Sequence, residues 1–201
     1  MREERKENQI LLRGTVEQEA VFSHEGHGER FYRVPMIVPR LSGVEDHLNV
    51  VFPQRLLELL PAEGTQAEIR GEVRSYNNRG GIGNRLIISV YAREILPTEE
   101  DAANVLTLTG TLCKQPVLRR TPLGRDICDL MLAVGRGYGR ADYLPCIAWG
   151  VVALRCGVLG VGDTIDISGR LQSREYTKID GVTAIRRTAF EVSVMELEEP
   201  I

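Results

Sequence analysis

Two large aromatic side chains lie six residues apart in one strand-like segment of the second half of the chain. They are Tyr143 and Trp149, in the segment DYLPCIAW at 142–149. Because side chains on a β-strand alternate between two faces, an even separation puts both rings on the same face. Exposed rings on one face form a platform on which flat nucleobases can stack. The alternative reading is that Trp149, the only tryptophan, is a core residue.

Basic residues cluster around the loops of the same half. The Gly-rich segment RGYGR at 136–140 contributes two of them. Such side chains supply affinity for nucleic acids by displacing counterions from phosphates, although each one could also be an ordinary solvated charge. The set consists of Arg119, Arg120, Arg125, Arg136, Arg140, Arg174 and Lys178.

Residues that could perform catalysis do not form a recognisable arrangement. The sequence has no Ser/His/acid, Cys/His or paired-carboxylate pattern, and RGYGR lacks the Lys-Ser/Thr of a phosphate-binding P-loop. His24 and His27 lie in a polar segment without further ligand candidates, which favours an ordinary loop over a metal site. We therefore predict a non-enzymatic protein with no metal or cofactor.

Charge is distributed unevenly along the chain. The net charge is −3, which does not indicate a uniformly basic nucleic-acid binder. Residues 104–195 nevertheless carry 12 Lys and Arg against 8 Asp and Glu, between acidic flanks. The start of the chain, MREERKENQ, is charged where a signal peptide is apolar, and no apolar run is long enough to span a membrane. We expect a cytoplasmic protein.

All four cysteines lie in the second half, and no two of them form a C-x-x-C pair. A free cysteine usually packs as a small apolar residue. We expect buried, reduced thiols at Cys113, Cys128, Cys146 and Cys156.

The chain repeats itself. A shift of 96 residues aligns ten identical pairs, among them Gly14 with Gly110, Arg40 with Arg136 and Asp46 with Asp142. After two extra residues the shift becomes 98 and aligns Gly64 with Gly162, Gly71 with Gly169 and Ser75 with Ser173. Such self-similarity indicates a tandem duplication. The sequence predicts one domain at 1–97, a polar acidic linker at 98–103 and a second domain at 104–201.

Each copy is predicted to be mostly β-strand. In the second copy, β-branched or alternating segments at 105–113, 127–134, 142–149, 163–176 and 182–197 predict five strands. A segment with helical spacing lies between the third and fourth strands, as does PQRLLELLPAEG in the first copy. This order predicts an all-β chain of two tandem OB-folds, five-stranded barrels that each have a short helix between strands 3 and 4. The alternative is a generic five-stranded barrel.

The second copy resembles the OB domain of bacterial single-stranded DNA-binding proteins. The resemblance covers residues 105–197 and rests on motifs in matching order and spacing. These are Gly110-Thr-Leu, Pro116-Val-Leu-Arg, Thr121-Pro-Leu-Gly, Leu132-Ala-Val, Tyr143-Leu-Pro-Cys-Ile-Ala-Trp and Gly169-Arg-Leu-Gln-Ser-Arg-Glu-Tyr. The first copy shows the same skeleton more faintly, in LLRGTV at 11–16 and GEVRSY at 71–76.

The resemblance implies binding of single-stranded DNA without strong sequence preference, in DNA replication, repair or recombination. The stacking aromatics of that family fall on Tyr138, Tyr143, Trp149 and Tyr176. The first copy differs from the second at these positions. It has Ser42, His47 and Pro53 at three of these positions, and only Phe52 and Tyr76 remain as possible stacking residues.

The remaining expectations concern partner proteins and assembly. Family members often end in an acidic, apolar tip that recruits replication and repair proteins, and here MELEEPI at 195–201 has those residue types without a spacer. The rival to DNA binding is a replication-complex OB protein, as in a primosome, that acts mainly through protein contacts. The duplication predicts a homodimer with four OB-folds, since members with one fold per chain form tetramers. The alternative is a monomer.

Overall fold

The computed structural model describes residues 8–78, 80 and 84–198, and within them each repeat has six strands. The first repeat contains β1 (Asn8–Val16), β2 (Val21–Gly26), β3 (Glu29–Pro39), β4 (Glu45–Pro53), a 3-10 helix (Gln54–Leu59), β5 (Gln66–Asn77) and β6 (Leu86–Pro97). The second contains β7 (Ala103–Leu112), β8 (Val117–Arg120), β9 (Asp126–Gly137), β10 (Arg140–Trp149), α1 (Gly150–Cys156), β11 (Thr164–Asp180) and β12 (Thr183–Glu198).

The chain divides into two compact units that do not coincide with the two repeats. The first-repeat unit contains Ile10–Asn104 together with Gln172–Phe190, which are the outer parts of β11 and β12. The second-repeat unit contains Val105–Leu171 and, among its other described residues, 8–9 and 191–198. A stretch of the second repeat therefore belongs to the unit built around the first.

The two repeats have the same sheet topology. Strands of the first follow the order β2-β3-β4-β6-β5-β1, and strands of the second follow β8-β9-β10-β12-β11-β7. Additional pairings of β1 with β3 and of β7 with β9 close each sheet on itself. The pairs β4–β6 and β10–β12 are parallel, because the helix that precedes β5 or β11 lets the chain cross over. This is the predicted OB-fold order.

The first-repeat sheet encloses an apolar core. The burial of β1 alternates along its length, as expected for a strand with one face inside a barrel. Its largest fully buried side chains include Leu12, Met36, Leu48, Phe52 and Ile69.

A core of the same kind fills the second-repeat sheet. Among its fully buried side chains are Leu112, Leu132, Leu144, Ile165 and Leu171. In both units the core consists of inward-facing side chains from strands whose residues alternate between the two faces, as the periodicity of the sequence predicts.

Each repeat has one short edge strand, β2 or β8, in addition to the five strands that the sequence predicts. β8 has four exposed residues and β2 has no buried one, so neither shows the alternation by which sequence reasoning detects a strand. Both lie at the outer edge of their sheet. The helix of the first repeat also differs from α1, since it is a 3-10 helix that follows Pro53 and is followed by Pro61.

Gly71 and Gly169, which repeat at a shift of 98 residues, share one physical cause. A Cβ atom on Gly71 would lie 2.0 Å from the carbonyl oxygen of Tyr91, and one on Gly169 would lie 2.0 Å from that of Ser193. No side chain fits at such a distance from a neighbouring backbone. The duplication therefore preserved the glycines at which two strands approach most closely.

Three of the four cysteines are buried, but the prediction that Cys113 is buried is wrong. Cys113 follows β7, and its Sγ lies 3.3 Å from the carbonyl oxygen of Met131 on the outside of the sheet. Burial raises the pKa of the Cys146 thiol, and it raises that of Cys156 to about 11. These two thiols are apolar packing groups.

No helix within the described ranges is both long and apolar enough to cross a membrane. The Gly-rich segment RGGIGNR (79–85) falls largely outside the described residues, since 79 and 81–83 are not among them. The last three residues of the MELEEPI segment, 199–201, lie outside them as well.

Candidate nucleic-acid interface

Tyr143 and Trp149 point outward from β10. The side chains of Leu144, Cys146 and Ala148 between them are buried, while Tyr143 is 50% exposed and Trp149 is 42% exposed. The exposure of the indole excludes a core role for Trp149. Six residues of strand place the two rings about 20 Å apart along one face.

The surface between the two rings is mostly apolar. Pro145 and Ile147, the latter buried, lie between the rings on this face of β10, and β9 pairs Ala133 with Tyr143, Met131 with Pro145 and Asp129 with Ile147. Residues directly opposite each other in an antiparallel pair project to the same side of the sheet. The two rings thus lie at the ends of a mostly apolar strip that also holds the Asp129 carboxylate, which is paired with Arg119.

Tyr138 lies at the tip of the β9–β10 hairpin. Gly137 pairs with Arg140, which leaves Tyr138 and Gly139 as a two-residue loop. Both have positive φ, 51° and 69°, as a type I′ turn requires. Tyrosine rarely adopts this conformation, and here its ring is fully exposed. The turn thus presents the Tyr138 ring to solvent at the tip of the hairpin.

Three of the predicted basic residues are already paired with carboxylates. Arg119 Nε donates to Asp129 at 2.7 Å, and Arg120 Nε donates to Asp126 at 2.9 Å. These hydrogen bonds raise the pKa of both guanidinium groups. Arg136 donates to the Asp142 carboxylate through Nε and Nη2. A phosphate must compete with these carboxylates.

Two other predicted basic residues are exposed on loops of the same unit. Arg125 lies in the β8–β9 turn, where its backbone N–H donates to Thr121 Oγ1 at 3.0 Å. Arg140 begins β10, next to the Tyr138 turn. Their exposure leaves both guanidinium groups accessible to a phosphate.

The remaining predicted site residues belong to the first-repeat unit. Arg174, Tyr176 and Lys178 lie on the outer part of β11. Tyr176 is half-buried, its hydroxyl lies 3.5 Å from Asn84 Oδ1, and the Arg174 guanidinium carbon lies 6.0 Å from the centre of its ring. The predicted set is therefore divided between two compact units.

The suggestion that Phe52 stacks on a ligand is wrong. Phe52 is fully buried, and its ring centre lies 6.3 Å from that of Tyr32. It occupies an inward position of β4, because the outward positions are those of His47, Asn49 and Val51. Tyr76, the other suggested stacking residue of the first repeat, is exposed.

The first repeat has a cluster of rings that the sequence reasoning missed. His24 stacks on Phe31 with 4.8 Å between ring centres, and Phe31 lies 6.3 Å from Tyr91. The Arg93 guanidinium carbon lies 4.8 Å above the Tyr91 ring. These rings are not at the positions that correspond to the second-repeat aromatics. The signal in the sequence was the aromatic and basic pairing in FYR (31–33) and YAR (91–93).

Comparisons with known proteins agree with this geometry. The single-strand binding protein family matches residues 103–198. A single-stranded DNA-binding protein from Clostridium tetani is 36% identical over 102 residues, which cover 47% of this chain and 68% of the relative. One from Listeria innocua, single-stranded DNA-binding protein 2, is 33% identical over 102 residues and is covered to 64%.

A solved structure matches both repeats. The wild-type single-stranded DNA binding protein from Thermus aquaticus superimposes with a TM-score of 0.79 at 25% sequence identity. The match covers 96% of this chain and 93% of that one. The likeness therefore extends through the first repeat, which the family match does not include.

Proposed function

The chain belongs to the single-strand binding protein family, and we propose that it binds single-stranded DNA by stacking bases on exposed rings. The observation that carries the proposal is the exposure of Tyr143 and Trp149 at the two ends of one mostly apolar strip. Every base has a π-face, so such a strip binds a strand without reading its sequence. The protein is a binder rather than an enzyme, as members of this family are.

Tyr138 is proposed to extend the stacking surface at the tip of its hairpin. A ring held in a left-handed turn between two glycines is presented to the solvent, and stacking would offset the backbone strain. Tyr176 is proposed as a further contact, through the exposed part of its ring.

Phosphate binding is assigned first to Arg125 and Arg140, because their side chains are exposed. Arg119, Arg120 and Arg136 contribute less, since each is bound to a carboxylate. Arg174 and Lys178, which are exposed on β11, are proposed as additional contacts. The salt dependence of binding should therefore be weaker than seven full phosphate contacts would give.

We further propose that the protein acts in DNA replication, repair or recombination in the cytoplasm, as a homodimer. Two chains with two OB-folds each supply four folds, and closed two-fold symmetry is the commonest way for identical chains to assemble.

A second candidate function is protein binding through α1. Val151, Leu154 and Val158 are exposed on or beside this helix, and Leu118 of β8 packs against its end at Gly157 while remaining partly exposed. An apolar cluster of this kind is typical of a protein contact. Replication or repair proteins are the proposed partners.

One titration tests the main proposal. The single Trp149 reports on its own surroundings, so its fluorescence is followed while dT oligomers, duplex DNA or RNA is added at two salt concentrations. We expect quenching by dT oligomers that weakens with salt, and little effect of duplex DNA. If dT oligomers neither bind nor quench at low salt, the α1 surface becomes the better candidate.

A further inference from the structure

A carboxylate lies on the strip between Tyr143 and Trp149. Asp129 of β9 is opposite Ile147 of β10 on one side and opposite Val117 of β8 on the other. Opposite residues of antiparallel strands project to the same side of a sheet, so the Asp129 side chain points to the side of the two rings. This side chain is 45% exposed. The strip therefore presents oxygen acceptors to a ligand that lies on it.

Asp129 is close to the ring of Trp149. Ile127, two residues before Asp129 on β9, is the residue paired with Trp149. Two residues of strand span about 7 Å. A base stacked on the indole extends beyond that ring, which brings its hydrogen-bonding edge within reach of the carboxylate. In a single strand this edge has no partner base, so a side chain can bind it.

Arg119 of β8 neutralises this carboxylate. Its Nε donates to Asp129 Oδ2 at 2.7 Å, and its Nη2 donates to Oδ1 at 3.4 Å. The hydrogen bond to Asp129, together with the negative charges of Asp129 and Glu191, raises the pKa of the guanidinium. A carboxylate has about four lone-pair positions, so its two bonds to Arg119 leave acceptor capacity. The pair thus offers acceptors beside donors and adds no net charge to the strip.

The duplication shows that the fold does not require a carboxylate at this position. At a shift of 96 residues Asp129 corresponds to Arg33, which is opposite Val51 of β4 and Val21 of β2. The same place among three strands thus holds a cation in one repeat and an anion in the other. An exposed ion pair adds little to the free energy of folding. A contact with the ligand therefore explains Asp129 better than stability does.

The bases of DNA differ in what they offer to a carboxylate. Cytosine, adenine and guanine carry an exocyclic amino group that donates hydrogen bonds, and thymine has none. An aspartate accepts from the N4 amino group of cytosine, and a neighbouring guanidinium donates to the acceptors on the same edge. The N3–H of thymine is flanked by two carbonyl oxygens, which a carboxylate repels. Between the two pyrimidines, which have rings of the same size, this pair favours cytosine.

We propose that Asp129 is a specificity-determining residue that gives the second-repeat face a preference for cytosine over thymine. The rings of Tyr143 and Trp149 supply affinity for any base, and Asp129 adds a preference at one position of the bound strand. Arg119 offsets the charge with which the carboxylate would repel the phosphates. The inference rests on the proposed function, because it takes single-stranded DNA as the ligand.

Oligonucleotides that differ in one functional group test the preference on the unmodified full-length protein. Quenching of Trp149 is titrated at one salt concentration with eight-nucleotide dT, with eight-nucleotide dC and with an oligomer of 2-pyrimidinone, which is cytosine without its amino group. We expect dC to bind at least about fivefold more tightly than either of the other two. If dC binds no more tightly than dT, or if the 2-pyrimidinone oligomer binds as dC does, the proposal is wrong. Absence of binding by all three would instead reject the proposed function.

Substitutions assign the preference to one residue, with Asp126→Ala as the matched control for Asp129→Ala. Asp126 accepts from Arg120 Nε at 2.9 Å and so belongs to a similar pair on the same two strands. It lies three residues from Asp129, and this odd separation puts it on the other side of the sheet.

The two variants should differ in their choice of base. In Asp129→Ala we expect the ratio of dC to dT affinity to fall to about one. Binding of dT should strengthen about twofold, because a carboxylate near the phosphates has been removed. Asp126→Ala should keep the ratio of the unmodified protein. A preference that persists in Asp129→Ala, or one that is lost in Asp126→Ala, would overturn the assignment.

Discussion

Arg136 donates from Nε to Oδ2 of Asp142 at 2.9 Å and reaches the other carboxylate oxygen through Nη2. Asp142 is fully buried and the Arg136 side chain is largely so. The same pair exists in the first repeat as Arg40 and Asp46. An arginine that sequence reasoning assigns to DNA binding is therefore also a structural residue.

The first prediction separates this arginine from its neighbour Arg140. Arg136→Ala should lower the free energy of unfolding by on the order of 3 kcal/mol, because it removes the guanidinium from a buried carboxylate. Arg140→Ala should leave stability unchanged but flatten the dependence of log K on log salt by about 0.7, the value for one lost phosphate contact on a single strand. Urea melts and titrations at several salt concentrations measure both. A full salt slope in Arg140→Ala would remove this side chain from the DNA path.

The second prediction concerns stacking. Tyr143→Ala and Trp149→Ala should each weaken dT binding by roughly 1 to 3 kcal/mol without loss of the fold, since both rings are half-exposed in the free protein. Val151→Ala, at an exposed residue two positions beyond Trp149, is the control and should bind normally. Trp149→Phe should recover most of the affinity. Unfolding of the two ring variants would show that packing, rather than stacking, requires these side chains.

The third prediction concerns the thiols. A thiol reagent at pH 8 should label only Cys113 in the folded protein and all four cysteines after unfolding. Burial shields the other three, and the raised pKa of Cys156, about 11, keeps its thiol protonated at that pH. Cys113→Ser should abolish labelling of the folded protein. Fast labelling of a second thiol would mean that the barrel opens locally.

The fourth prediction concerns the two repeats expressed separately. Residues 104–201 should keep appreciable affinity for dT, because they include the Tyr143–Trp149 face. Residues 1–97 should bind weakly, because Ser42, His47 and Pro53 occupy the positions that correspond to Tyr138, Tyr143 and Trp149. Fluorescence anisotropy with a labelled dT oligomer compares them at equal salt. Equal affinities would show that the rings around Phe31 and Tyr91 bind DNA without help from the second repeat.

The fifth prediction concerns assembly. Light scattering at micromolar concentration should give twice the chain mass of 22.4 kDa, as a homodimer with four OB-folds requires. A mass near that of one chain would show that the protein is a monomer and would contradict the dimer.

The sequence predicted the fold well because the features that define it leave local traces. Alternating burial marks the long strands, and the glycines at 71 and 169 recur because no side chain fits beside the facing carbonyl. The edge strands β2 and β8 leave no such trace, since they bury no residue. They were missed for that reason.

The candidate site was predicted less completely. Period-two spacing was enough to place Tyr143 and Trp149 on one face, and both are exposed there. Transferring positions from the second repeat to the first failed, because Phe52 faces inward while Phe31 and Tyr91 lie at unmatched positions. The pairing of arginines with aspartates six to ten residues away could not be predicted either, because it depends on strand register, which is not evident from the sequence.

The membership of Gln172–Phe190 in the first-repeat unit has a consequence during synthesis. Domains usually fold in the order in which they leave the ribosome. Here the first-repeat unit is not complete when the first repeat has been synthesised, because its final stretch is translated only after Val105–Leu171. The nascent first half must therefore wait for the outer β11–β12 hairpin or exist for a time with the surface around Asp46, whose carboxylate accepts a hydrogen bond from the Ser173 backbone, uncovered. We therefore expect a slow, late step in the maturation of this protein.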